Sequence, residues 1–472
     1  MSADFDFMGA RELARLVAAK AVSPVEVTRR ALDRAASTQG ALNAFFVILE
    51  EEAMAAARTA ERVVMRGDAL GPLHGLPFSA KDLMAVKGVA YASGSRAMAD
   101  NVAEVDAPAV ERAKAAGAIL IGKTTTSEFG CKPVGDSPLT GVTRHPWDLS
   151  KTPGGSSAGA AASVAAGITP FALGTDGGGS IRIPCSLCGL SGLKGQFGRV
   201  PVWPTSATPT LAHVGPIARS IEDAALLFSA IAGYDARDPF SVAGPAPDVL
   251  DALARGVEGM RVAWSPTLGY ARPDPEVVAV AAAAAARLEA AGAIVEEVET
   301  VFDSDPEDLW IAEFYAGVGT RLRSVVESRR DLLDPAVAEV LEAALAQEMR
   351  AYYETVFRRY ALRDAARRFF ERYDLLLSPT LPLSSLPVGV DVPAALSDRT
   401  LVSWVFYTYP FNLTGQPAAS VRAGLTDDGM PAGLQIVGRA LGEADVVAAA
   451  AEIERGRPTD LHRRRLLPEL RA

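Results

Sequence analysis

Two glycine–serine clusters constrain this chain more than any other feature: GGSSAG at Gly154–Gly159 and GTDGGGSIRIP at Gly174–Pro184. Between them lie an alanine-rich stretch, residues 158–166, and an apolar run, residues 168–173. The pattern predicts a helix that begins at the serine pair, then a short strand closed by the TDGGG turn. Residues without Cβ let a backbone bend sharply and approach another group closely. Upstream, Lys81 sits in the apolar word GLPFSAKD. Together these segments supply serine hydroxyls, an amine and a row of unshielded backbone N–H groups. A glycine run beside a serine is by itself only a turn.

The spacing adds weight. Lys81 to Ser156 is 156 − 81 = 75 residues, and Ser156 to Ser180 is 180 − 156 = 24. Both intervals and both words resemble the amidase signature family, whose hallmark is Gly-Gly-Ser-Ser-Gly-Gly followed by Gly-(Ser/Thr)-Asp-x-Gly-Gly-Ser-Ile-Arg. The likeness continues through CGLSGLKGQFGRVP from Cys188, YDLLLSPTLP from Tyr373, NLTGQPAAS from Asn412 and PAGLQIVGR ending at Arg439. Ala158 stands where the hallmark has glycine and Gly177 where a larger residue is common, but both keep the position small.

The resemblance implies one large α/β/α domain over residues 1–472. Its central twisted sheet is expected to be mixed and mostly parallel, with helices on both faces. The signature core would span roughly residues 70–220, and segments within 370–455 would complete the same sheet. Alternating apolar strands and helices point to the same architecture. Helices are expected over residues 8–35, 47–66, 107–116, 222–232 and 275–291, and over most of 328–371. Strands are expected at GLPFSAKD, at AILIG from Ala118, at LLLSP from Leu375, at PAASV from Pro417 and at GLQIVG from Gly433.

A net charge of −10 weighs against an electrostatic nucleic-acid surface, which would be basic. The N-terminal MSADFDFMGARELARL lacks the basic-then-apolar layout of a secretory signal. The alanine stretch from Val280 to Ala286 is too short to span a bilayer. The expected location is therefore the cytoplasm, with no membrane partner. Three cysteines make no disulfide framework, and Cys185-x-x-Cys188 stands without a second ligand pair, so no metal is expected. No cofactor is called for. A homodimer is a family-level expectation only.

Carried over residue by residue, the resemblance makes Ser180 the nucleophile, Ser156 the relay hydroxyl and Lys81 the base, with a cis peptide at Gly155–Ser156. The N–H groups of Gly177, Gly178, Gly179 and Ser180 would form the oxyanion hole. Ser157 would cap the following helix or support the site from behind, and Asp176 with Arg182 would hold the nucleophile loop. An ordinary lysine is protonated at neutral pH, so Lys81 needs burial away from carboxylates to act as a base. Asp82 is accordingly expected to face away. Lys123 and Lys194 lie in similar apolar words, and physics alone does not choose among the three.

Two motifs look sharper than they are. GAILIGKT at Gly117–Thr124 matches a nucleotide P-loop literally, but its variable residues suit a buried strand. Gly155–Gly159 matches a nucleophile elbow, but no strand precedes it. His74, His145 and His213 occupy loop-like words, and none is needed. Trp203, Trp310, Phe314, Tyr315, Trp404, Phe406 and Tyr407 are the aromatic residues expected to wall a pocket. The expected activity is hydrolysis of a small apolar or aryl carboxamide, with esters and carbamates within the same chemistry. One alternative is the A subunit of a glutamine-dependent aspartyl/glutamyl-tRNA amidotransferase; another is a catalytically silent binding protein. Val405 and His213 stand where such amidotransferases are expected to carry acidic residues, which argues against glutamine as substrate.

Overall fold

The computed structural model describes residues 5–458 and 460–471; the first four residues of the N-terminal word lie outside that range. Thirteen strands form: β1 Phe45–Ile48, β2 Pro77–Lys81, β3 Ile119–Thr124, β4 Asp136–Ser137, β5 Gly141–Val142, β6 Phe171–Asp176, β7 Ser191–Lys194, β8 His213–Ala218, β9 Arg261–Trp264, β10 Ile294–Glu297, β11 Leu375–Pro379, β12 Ala418–Leu425 and β13 Pro431–Gly438. β4 and β5 pair with each other, and the rest make one eleven-stranded sheet in the order β1-β3-β2-β6-β8-β7-β12-β13-β11-β9-β10.

The sheet is mixed, as expected. Parallel pairing occupies two blocks, β3-β2-β6 and β11-β9-β10. The centre from β6 through β8, β7, β12 and β13 to β11, and the β1 edge, are antiparallel. Within the centre, β12 and β13 are joined by a short turn, residues 426–430, which can link only antiparallel neighbours.

Strand alternation explains why helices cover both faces. Along β11, Leu375 and Leu377 enter one apolar cluster and Leu376 another. Along β13, Leu434 and Ile436 face one way and Val437 the other. Successive side chains on a strand point to opposite faces, so such continuous apolar runs require two covering layers.

Several boundaries differ from expectation. Residues 8–35 do not form one helix: Ala10–Ala18 ends before Lys20, which has φ 58°, and Pro24–Leu42 restarts on a capping box between Ser23 and Glu26. Residues 45–48 form strand β1 before the helix Glu50–Arg66. β6 begins later than expected, at Phe171, and continues through Thr175 and Asp176 because Val214 and His213 of β8 pair with them. Cross-strand partners thus turn part of the apparent TDGGG loop into strand. The P-loop-like word becomes β3, fully buried.

The helix Ala158–Ala165 is buried along its whole length. Small side chains let it lie close to its neighbours, and Gly159 shows how close. A Cβ there would stand 2.1 Å from the Ala44 carbonyl oxygen and 2.6 Å from the Thr125 backbone nitrogen. Alanine gains about 1 kcal/mol over glycine in a helix interior, but this clash is with backbone that cannot rotate away. Gly159→Ala is expected to lose at least ~1 kcal/mol net, within the usual range for overpacking. A lower urea midpoint at unchanged m-value checks it; an equal or higher midpoint contradicts the packing assigned here.

Candidate active site

β2 and β6 are parallel neighbours, so their carboxyl ends lie at the same edge of the sheet. Lys81 ends β2, and Thr175 and Asp176 end β6. Clefts beyond the carboxyl ends of parallel strands are the usual place for ligands in α/β proteins. A cavity of about 300 Å³ opens here, and Ser156, Thr175, Gly177 and Ser180 line it.

Lys81 is fully buried behind that wall. Its Nζ donates to Ser156 Oγ at 2.7 Å and to Thr175 Oγ1 at 2.8 Å. Asp82 points elsewhere, its Oδ1 accepting from Lys123 Nζ at 2.5 Å. Burial pushes the Lys81 amine well below the ordinary lysine range, and the Asp176 charge opposes that shift only in part. An uncharged amine beside a serine hydroxyl can accept its proton. Thr175 is a site residue that the sequence reading does not single out; the available signal is the Ser/Thr alternative in the hallmark word, which marks a required hydroxyl.

The peptide bond Gly155–Ser156 is cis. Ser157 does not cap the following helix. Its Oγ instead donates to the Thr175 carbonyl at 3.2 Å and accepts from the Thr175 N–H at 3.4 Å, tying the Ser156–Ser157 segment to β6.

Asp176 and Arg182 are both completely buried and clamp the Gly177–Ser180 loop. Asp176 Oδ1 accepts from Arg182 Nη2 at 2.9 Å, from the Gly179 N–H at 2.8 Å and from Asn412 Nδ2 at 2.8 Å. Its Oδ2 accepts from Arg182 Nε at 3.0 Å. The guanidinium also donates to the Thr408 carbonyl, Asn412 Oδ1 and Gln435 Oε1. Burial alone would raise the Asp176 carboxyl; Arg182 outweighs it and holds the group below the usual carboxylate range. The words around Asn412 and Gln435 are thereby explained as loop holders.

This clamp corrects one expected role. The Gly179 N–H is committed to Asp176 and is not free to meet a substrate. Gly179 has φ 131°, and a Cβ there would lie 2.3 Å from Thr408 Oγ1. The N–H groups of Gly177, Gly178 and Ser180 donate to no protein acceptor among the described residues. Trp310 Nε1 donates to the Gly177 carbonyl at 2.8 Å and Thr408 Oγ1 to the Gly178 carbonyl at 2.6 Å, which orients both peptides from behind.

Of the expected pocket aromatics, Trp203 and Phe314 line the cavity. Trp310, Tyr315, Trp404, Phe406 and Tyr407 are core residues instead. Their polar edges explain why: Trp404 Nε1 donates to the Asp391 carbonyl, Tyr315 Oη to that of Cys131 and Tyr407 Oη to that of Pro266. Buried aromatics with satisfied polar tips brace the wall rather than form it. Leu83, Met84, Tyr91, Met98 and Phe129 complete the apolar wall. Val405 is buried in the core and does not reach the cavity, so its identity says nothing about substrate. His213, expected in a loop, begins β8 and does line the cavity. Burial keeps its imidazole well below the ordinary histidine range, and Lys194 adds to this.

A family model described as Amidase matches residues 26–447. The chain belongs to the amidase family. An acylamidase of Rhodococcus erythropolis is 37% identical over 462 residues, covering 96% of each chain. The A subunit of a glutamyl-tRNA(Gln) amidotransferase from Moorella thermoacetica is 36% identical, covering 98% of this chain and 99% of its own. Among solved structures, a bacterial aryl acylamidase of the amidase signature family superposes with a TM-score of 0.90 at 32% identity, over 96% of this chain and 99% of that one. The chain is an amide-hydrolysing enzyme of this family, and its sheet and covering helices are those of amidase signature structures. Among the described residues, no helix of the amidase is long and apolar enough to cross a membrane.

Removing one partner of a buried ion pair strands the other charge, at about 3–5 kcal/mol. Arg182→Met is expected to destabilise the amidase by that amount and to cost activity even below its unfolding midpoint. Urea melts with parallel assays check this; wild-type stability would contradict the clamp.

Proposed function

We propose that this amidase cleaves a carboxamide through an acyl-enzyme on Ser180. Neutral Lys81 takes the proton of Ser156 Oγ as Ser156 takes that of Ser180 Oγ, and Ser180 Oγ attacks the carbonyl carbon. The carbonyl oxygen becomes an oxyanion, stabilised by the N–H groups of Gly177, Gly178 and Ser180, each worth about 3–4 kcal/mol in comparable sites. As the C–N bond breaks, the proton returns through Ser156 to the departing nitrogen, and amine or ammonia leaves. Water then repeats the path and releases the carboxylic acid. Thr175 holds the lysine nitrogen, Ser157 ties the relay segment to β6, and Asp176 with Arg182 holds the loop; all four act through their neighbours.

The single observation carrying this reading is the buried, carboxylate-free contact of Lys81 with Ser156 at the edge of the cavity that Ser180 also lines. The apolar wall, with Trp203 and Phe314 on it, supports a small apolar or aryl amide as substrate. One sheet built from strands between residues 45 and 438 supports reading the chain as a single domain. A second reading, part of a glutamine-dependent amidotransferase, is favoured by the 36% identity to one such protein. Glutamine and an anilide offered to the purified protein separate the two.

Ser180→Ala is expected to lower kcat/KM by about 10⁴-fold or more and to abolish labelling by a fluorophosphonate. Lys81→Ala removes the base and is expected to cost about 10²–10⁴-fold. Near-wild-type rates in either variant would overturn the assignment.

The pH dependence has a definite sign. Lys81 acts only when uncharged, so kcat/KM falls about tenfold per pH unit on acidification below its lowered pKa and levels off above it. A profile flat down to pH 5 would exclude the amine as base.

A further inference from the structure

The cavity wall carries one cation that the chemistry above does not use. Arg321 ends the helix Glu307–Arg321 and lines the same cavity as Ser156 and Ser180. Its side chain is exposed, and no ion pair or hydrogen bond holds its guanidinium among the described residues. The acids closest to it along the chain are committed elsewhere: Glu313 pairs with Arg359, and Glu327 with Arg323. Asp176 is the one carboxylate of the described wall, and Arg182 neutralises it.

The helix sets where this charge stands. Phe314, Val318 and Arg321 recur at four- and three-residue spacing, and all three line the cavity, so they share one helix face. Phe314 packs on the nucleophile loop: a Cβ at Gly177 would meet its Cε2 at 2.9 Å. Arg321 lies seven residues further, about 10 Å along the axis at the helical rise. The wall is apolar beside the reacting serines and cationic about two turns away. An arginine in a last helical turn is favourable for the helix dipole anywhere on the surface, but that role requires neither a place on the cavity wall nor freedom from an acidic partner.

We propose that Arg321 is a specificity determinant, and that it binds a carboxylate on the substrate remote from the scissile bond. The preferred substrates are then apolar or aryl amides carrying one distal anion. The inference rests on Ser180 being the reacting residue and deepens that reading. A guanidinium fork matches a carboxylate in two parallel hydrogen bonds. Because Arg321 is solvent-exposed, the interaction is modest and weakened by salt.

Two substrate pairs test it: acetanilide against its 4-carboxy derivative, and butyranilide against its ω-carboxylated counterpart. They place the anion on the amine side and the acyl side in turn. The wild type and R321A, R321K and R321E are compared by kcat/KM, and the same substitutions in a Ser180→Ala background by calorimetric Kd. The carboxylated member of at least one pair is expected to be favoured about tenfold in both readouts at low salt. That ratio should fall to about one in R321A, below one in R321E, and recover in part in R321K; it should also shrink as salt rises. A wild-type ratio of one in both pairs, or an equal ratio in R321A, overturns the proposal. Fluorophosphonate labelling of Ser180 is read separately: a labelled Ser180 with no charge preference sinks only the role of Arg321. A charge preference that depends on Arg321 without any labelling sinks only the acyl-enzyme reading.

Discussion

The site depends on one buried ion pair. Asp176 and Arg182 are entirely removed from water, and between them they bind the Gly179 amide, Asn412, Gln435 and the Thr408 carbonyl. Those partners come from well-separated parts of the chain, so the pair gathers the Gly177–Ser180 loop, the β13 strand and the segment before β12 into one arrangement. Its hydrogen-bonding capacity is nearly saturated, which is what makes such a pair tolerable in a dry interior. The three-glycine run needs that restraint, because glycine backbone left alone explores many conformations. Here one of its amides is tied down, and two of its carbonyls are held by Trp310 and Thr408.

Three buried lysines show that burial does not make a base. Lys123 keeps an acid partner in Asp82, a carbonyl partner in Ala90 and a tyrosine ring at 4.9 Å. Lys194 is pushed down strongly by burial, with Arg182 adding to the shift, yet its nitrogen meets the Gln416 carbonyl and His213 and, among the described residues, no serine. Lys81 alone combines a depressed pKa with contact to a hydroxyl on the cavity wall. Keeping an amine uncharged in the fold opposes stability, since the unfolded chain binds the proton more tightly below about pH 10. Stability from this group therefore rises with pH between the folded and unfolded values.

The legible parts of the site are those written in contiguous words. Ser156, Ser180, Asp176 and Arg182 sit in short motifs whose spacing restricts the backbone, whereas Lys81 is picked out from the other buried lysines only by the resemblance of its word. The pocket is far less legible. Of the aromatics expected on its wall only Trp203 and Phe314 are there, because apolar spacing identifies burial without saying which neighbour a ring buries against. The Gly179 amide cannot be assigned from sequence either: its direction follows from the Asp176 carboxylate, and the φ of 131° that permits it is a property of the folded loop.

By itself the sequence determined the family, the mixed α/β architecture and the short list of candidate reactive groups, because local words and apolar periodicity are properties of contiguous residues. Tertiary structure decided which lysine meets a serine, which amides remain free, and that Arg321 shares a cavity with residues more than a hundred positions away. Those outcomes depend on the pairing of β2 with β6, on the antiparallel centre of the sheet and on the helix Glu307–Arg321 packing against the loop at Gly177. Distance, desolvation and charge pairing act through space, and a linear pattern carries no record of them until the sheet closes.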